Sequence, residues 1–221
     1  MAQRHDYIPP SMHGLPRTEE RFERMTQWHS YMPPSVHGIP MTEEGFERLI
    51  SVESPYRYEL IDEIAYNMTG SSPEHSAIAS NIEDIFRAQL GKSGPCRAHH
   101  DQYVLIPDRP AVVPDVVVTC DLADWDEDKR LKPFKIQSPL IVVEVLSPST
   151  EYYNRTEKFA RYKRCPTLEV YILVSQDEPQ VEVFRRANDW KRETFTQKQK
   201  IKLNQLDLEL PLEAIYEGVL W

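Results

Sequence analysis

A chain of 221 residues, 40% apolar and 28% charged, has the size of one ordinary folded domain and can build a core without a disulfide or metal staple. Its net charge of −9 excludes a generally basic nucleic-acid coat, so any contact with phosphates must come from a local patch. Eighteen prolines against seven glycines make it rich in loops but far from a collagen-like pattern.

The opening residues, MAQRHDYIPP, lack the apolar stretch of a signal peptide. An internal repeat follows: residues 5–28 realign with 29–52, and fourteen of the 24 positions are identical. Each copy reads as an extended P-P-S-x-H-G-x-P segment and then a short amphipathic helix, with Thr18 or Thr42 as N-cap and acids in the first turn. Phe46, Leu49 and Ile50 give the second copy an apolar stripe; Phe22 and Met25 give the first a weaker one. Two copies are too few for a solenoid. The second is expected to pack on the domain and the first to form an arm that docks on a partner or a second subunit. The repeated His5, His13, His29 and His37 are alternative metal ligands, in which case the repeat would be a metal-linked assembly module. No cysteine or carboxylate recurs with them at ligand spacing.

Regular periodicity begins at Tyr56. Tyr58–Ile61 and Ile64–Asn67 predict a strand pair. Ser72-Pro73-Glu74 predicts a helix start, Ile78, Ile82, Ile85, Phe86 and Leu90 continue one face, and Gly91 closes it. Strands are predicted at about 99–106, 112–119 and 139–146, then a helix from about 154 to 165 ending before Pro166. Further strands are expected at 168–174, 180–185, 192–196 and 206–210, with a closing helix around 212–217. This order implies an α/β architecture with a mixed β-sheet flanked by helices. No run approaches the roughly 20 apolar residues of a membrane helix. Cys96, Cys120 and Cys165 are odd in number, far apart and without a C-x-x-C pair, which argues against a disulfide framework or zinc site and suits a reducing cytoplasm.

Two carboxylates interrupt apolar strands. Glu144 lies within Leu140–Leu146, where an unpaired charge costs several kcal/mol. It needs a partner, a metal or open water; a strand-end glutamate in solvent or in a buried salt bridge is the alternative. Asp115 stands in Val112-Val113-Pro114-Asp115-Val116-Val117-Val118. If the strands are neighbours, both carboxylates point at one spot, which suits a hard divalent cation. Lys158 and Arg161 share one side of the next helix and can face a cleft, while Phe159 and Tyr162 face the core. A solvated basic face is the alternative.

The residues Tyr58-Glu59-Leu60-Ile61-Asp62, Ser72-Pro73-Glu74-His75, Pro114-Asp115-Val116, Val143–Thr150 and Lys158…Tyr162 resemble the Uma-two family, endonucleases of the PD-(D/E)XK nuclease fold abundant in cyanobacteria. The resemblance spans roughly 41–218 and leaves 1–40 as an N-terminal extension to a 41–221 nuclease-like domain. It implies a restriction-endonuclease-like core, with Asp115 and Glu144 as ligands of Mg²⁺ (or Mn²⁺), Lys158 as catalytic lysine and Glu59 as a further acidic site residue. The parent motif's lysine position is Leu146 here, so Lys158 stands for a lysine moved to the next helix. Asn154 replaces a common aspartate and Glu63 a common glycine. His75 can hydrogen-bond a site carboxylate, or merely cap or pack. Phosphodiester hydrolysis needs charge neutralisation and an activated water, which metal and lysine supply together.

Asp124-x-Asp126-x-Asp128 imitates a calcium loop but fails at Lys129 and Lys135, so a solvated acidic loop is expected. Seven basic and two acidic residues between Arg185 and Lys202, interleaved with Trp190 and Phe195, can track a nucleic-acid backbone or form an exposed hairpin face. The sequence therefore reads as a cytoplasmic, homodimeric, metal-dependent endonuclease acting on DNA and not on membranes. The alternative is a catalytically inactive nuclease-fold protein that binds nucleic acid or a protein partner.

Overall fold

The structure, a computed structural model, describes residues 38–220 apart from 53, 69, 127, 129, 130, 132 and 133. The first repeat copy and the histidines at 5, 13, 29 and 37 lie outside the described residues. Strand β1 (Ile39–Pro40) leads into helix α1 (Glu43–Ile50), where the Thr42 side chain accepts the Gly45 N–H at 3.2 Å and Phe46, Leu49 and Ile50 are buried. β2 (Tyr58–Ile61) and β3 (Ile64–Asn67) form the expected hairpin, with β1 on the far side of β3. Its two-residue turn holds Asp62 and Glu63 at φ 49° and 59°, the left-handed region in which glycine is easiest at the second position. Helix α2 (Pro73–Leu90) begins at Ser72, whose hydroxyl accepts the His75 N–H at 3.1 Å, and stops at Gly91.

The two predicted strands that follow each divide. β4 (Arg97–His100) and β5 (Val104–Ile106) part at a turn where Asp101 has φ 50°. β6 (Arg109–Val112) and β7 (Val116–Thr119) part at Val113-Pro114-Asp115, since Pro114 has no N–H for a ladder. A short α3 (Leu122–Trp125) precedes the long β8 (Pro139–Leu146). The helical segment α4 then consists of Glu151–Tyr153, a π-helical turn Asn154–Lys158, and Phe159–Tyr162. β9 (Val170–Ser175), β10 (Gln180–Arg185), β11 (Arg192–Thr196), β12 (Lys200–Leu203), β13 (Leu208–Pro211) and α5 (Leu212–Ile215) complete the chain.

The central sheet has the order β11-β10-β9-β8-β7-β4, antiparallel except for the β8–β9 pair. The mixed sheet flanked by helices is as the sequence implies. Alternation splits the core between its faces. Val116, Val118, Ile141, Val143 and Ile172 pack with Ile78, Ile82 and Phe86 of α2 and with Ile201, Leu210 and Ile215. Val117, Val142, Leu146, Tyr171 and Leu173 pack with Phe159 and Tyr162 of α4. The carboxamide of Gln89 donates to the Glu209 carbonyl at 2.7 Å and accepts the Glu209 N–H at 2.9 Å, while Asn81 donates to the Ile215 and Glu217 carbonyls. These two side chains clasp the last hairpin and α5 to α2.

Three expectations are corrected. Cys96 and Cys120 form a disulfide, and Cys165 is free and buried. Their 24-residue separation hides that β4 and β7 are antiparallel with Arg97 opposite Thr119, which sets the flanking cysteines face to face. The acidic loop is not simply solvated: Asp124 is fully buried, accepting the Thr119 hydroxyl at 2.6 Å and the Gln137 and Ser138 N–H groups. Trp190 packs edge-on to Phe159, and Phe195 is partly buried against the core, so neither ring is a free platform. Most cations of that segment lie beside carboxylates, among them Arg185 by Glu193, Arg192 by Glu182, and Lys200 and Lys202 by Glu209.

Candidate active site

A parallel strand pair needs a crossover, and the β8–α4–β9 connection lays α4 across one face of the sheet. Glu144 shares that face with Val142 and Leu146, so its carboxylate meets α4 rather than α2. Lys158 and Tyr162, four apart on α4, meet it from above. Asp115 comes from the segment that enters the neighbouring strand β7: Val116 pairs with Val143, and the next step brings Asp115 alongside Glu144. The Val145 N–H donates to Asp115 Oδ2 at 2.6 Å.

Lys158 Nζ is the hub. It lies 2.8 and 2.9 Å from the two oxygens of Glu144, 2.9 Å from Glu59 Oε1 and 2.9 Å from the Val113 carbonyl. An ammonium has three hydrogens, and these three partners take them all. Glu59 Oε1 also accepts the Val113 N–H at 2.7 Å, and Tyr162 donates to Glu144 Oε1 at 2.9 Å. The break at Pro114 matters here, because it frees both backbone groups of Val113 from a ladder. Glu59, Glu144 and Lys158 are at most 2% exposed.

Burial pushes the Glu144 carboxyl up to about 8, because the Lys158 charge does not offset desolvation together with the repulsion of Asp115 and Glu59. Burial works against the Lys158 ammonium too, but the combined pull of Glu144, Glu59 and Asp115 outweighs it and holds the lysine charged. For His75, burial is likewise outweighed by the Asp115 carboxylate and the Val145 backbone, which raise its pKa. Three carboxylates thus face one ammonium, and burial among them favours the protonated form of Glu144.

A cavity of about 780 Å³ opens above this cluster, and Asp115, Glu144, Lys158, His75 and Asn154 all line it. The structure therefore brings Asp115, Glu144 and Lys158 together at one cavity, with Glu59 in contact with Lys158 but behind the lining. Arg161 is not at the cavity: it donates to the Leu60 carbonyl and pairs with Glu157. His75 lies 3.4 Å from Asp115 Oδ2 through Nε2, while its backbone N–H carries the helix cap. Val113 and Tyr162 escaped the sequence reading. Tyr162 reads as a core residue beside Phe159, and the signals for it were its spacing of four from Lys158 and its place in the Lys158…Tyr162 stretch of the resemblance.

The Uma2 family profile, described as "Putative restriction endonuclease", matches residues 43–213. The chain belongs to the Uma2 family. Among relatives, it is 31% identical over 167 residues to the uncharacterized protein slr1290 of Synechocystis sp. (strain ATCC 27184 / PCC 6803 / Kazusa), covering 74% of this chain and 85% of that one. The uncharacterized protein sll1609 of the same organism is 23% identical over 123 residues, 55% of this chain and 68% of that one. A crystal structure of "a putative nuclease belonging to DUF820" from Anabaena variabilis ATCC 29413 shares the fold, with a TM-score of 0.68 and 20% identity over 82% of this chain and all of that one.

The Uma2 site fits a divalent cation by the chemistry of its donors. Asp115 and Glu144 are hard oxygen ligands, and the surplus of carboxylates over ammonium calls for positive charge. Among the described residues no three His, Cys, Asp or Glu side chains converge at ligand spacing. The donor set therefore suits an ion that keeps several waters and takes one or two carboxylates. Among the described residues, no helix is long and apolar enough to cross a membrane.

Proposed function

We propose that this Uma2 chain is a Mg²⁺- or Mn²⁺-dependent endonuclease that hydrolyses DNA phosphodiester bonds, with residues 41–221 as its nuclease domain. The observation that carries the reading is the convergence of Asp115, Glu144 and Lys158 at one cavity, Glu144 from β8 and Asp115 from the segment just before its neighbour β7. Asp115 and Glu144 would hold the cation. When bound, it neutralises charge on the phosphate and lowers the pKa of a coordinated water toward neutrality.

The chain's own groups prepare that site. The Val145 N–H fixes Asp115, and the Tyr162 hydroxyl fixes Glu144. Lys158 acts as a positioning residue in this reading: its three hydrogens bind Glu144, Glu59 and the Val113 carbonyl, so it sets the spacing and charge of the carboxylates. A homodimer would present one such site to each strand of a duplex.

The test is cleavage of plasmid DNA by purified protein with Mg²⁺ or Mn²⁺. Glu144→Ala, and Glu144→Gln, which keeps hydrogen-bonding atoms for Lys158 and Tyr162, are expected to lose cutting. Equal cutting by wild type and both variants overturns the assignment. The second reading, a non-catalytic nuclease-fold protein that binds nucleic acid or a protein, is favoured by the full engagement of Lys158. Calorimetry without Mg²⁺ or Mn²⁺ heat, beside salt-dependent DNA binding, would select it.

A further inference from the structure

His75 is the third residue of α2, and Ser72 at its N-cap together with Pro73 fixes the turn that carries it. Its side chain is 14% exposed and lines the cavity. Nε2 sits 3.4 Å from Asp115 Oδ2, the same oxygen that accepts the Val145 N–H at 2.6 Å. The ring is also within reach of the Val145 backbone. Two partners from different elements, α2 and β8, thus hold one oxygen of one carboxylate. Both contacts fall on Oδ2 and leave Oδ1, which takes no hydrogen bond among the described residues, for a ligand.

We propose that His75 is a positioning residue that orients Asp115 for divalent-cation binding, an inference that rests on the metal-dependent reading above. Asp115 stands just after Pro114, outside any ladder, with side-chain exposure of 19%. Without a second partner, its χ angles are restrained only by the Val145 N–H. Groups that hydrogen-bond a ligating carboxylate are worth about 10–100-fold in metal affinity.

The experiment is calorimetric titration of the full chain with Mn²⁺ alone, with metal-free thermal unfolding measured alongside. His75→Ala is expected to bind Mn²⁺ about 10–100-fold more weakly. His75→Gln, whose amide nitrogen can take the place of Nε2, is expected to stay within a few-fold of wild type. His75→Leu fills the ring's space without a donor and should behave as His75→Ala, which keeps the test open if the alanine variant does not fold. Wild-type affinity in the Ala or Leu variant overturns the proposal. Equal loss in the Ala and Gln variants also overturns it, since the ring would then be a ligand itself or a packing element. Wild type without Mn²⁺ binding removes both this inference and the metal-dependent function. Mn²⁺ binding that depends on His75 without DNA cleavage removes the function alone.

Discussion

Among the described residues, Lys158 is the cation that contacts Glu59 and Glu144, which makes it costly to remove. Lys158→Met should destabilise the fold by about 3–5 kcal/mol, because it leaves Glu59 and Glu144 buried and uncompensated. Chemical denaturation measures this, and adding Glu59→Gln to Lys158→Met should recover part of the loss. Glu144 gives the site a pH signature. Its folded pKa of about 8 exceeds the ordinary 4.5, so the folded chain binds that proton more tightly than the unfolded one. The associated stability is complete below about pH 4.5 and is lost as pH rises to about 8. Urea unfolding of wild type should decline over that window more than that of Glu144→Gln. Asp115 and Glu144 were legible in the sequence as a pair, two carboxylates in neighbouring apolar runs, although Glu144 also makes the buried salt bridge that was its alternative reading and Asp115 lies just outside its strand. Val113 was not, since its contribution is a backbone N–H and C=O that exist as ligands only once Pro114 breaks the strand.

Helix α2 and the β2–β3 hairpin were legible from local chemistry: an N-cap, a proline at the first helical position, and two short runs separated by two residues. The division of β4 from β5 and of β6 from β7 was not, although the polar Asp101-Gln102 at the first break and Pro114 at the second mark where each ladder stops. Turn chemistry makes a prediction in the hairpin. Glu63 holds φ 59°, where a side chain costs about 1 kcal/mol or more relative to glycine, so Glu63→Gly should raise thermal stability. The opposite sign would mean that the Glu63 side chain contributes contacts worth more than the backbone cost. The Cys96–Cys120 link closes a loop between sequence positions 24 apart, so its removal in Cys96→Ala/Cys120→Ala should cost about 3 kcal/mol. Wild type unfolded under reducing conditions should show a loss of the same size.

For the whole molecule, the net charge of −9 and the carboxylate partners of the Arg185–Lys202 cations leave little basic surface for a duplex. DNA affinity should therefore fall only gently with salt, with a log–log slope of about −3 or shallower, measured by fluorescence anisotropy. A steeper slope would place the contact on other cations. The clasp made by Gln89 and Asn81 carries a consequence for chain editing. Gln89 satisfies the Glu209 backbone as an added strand residue would, and so fastens the carboxy-terminal hairpin to the same helix whose opposite end presents His75 to Asp115. A shortened protein ending before residue 200 would strip Ile201, Leu210 and Ile215 from the cluster that holds Ile78, Ile82 and Phe86 and loosen that helix, so the loss would register at its His75 end although no residue there had been touched.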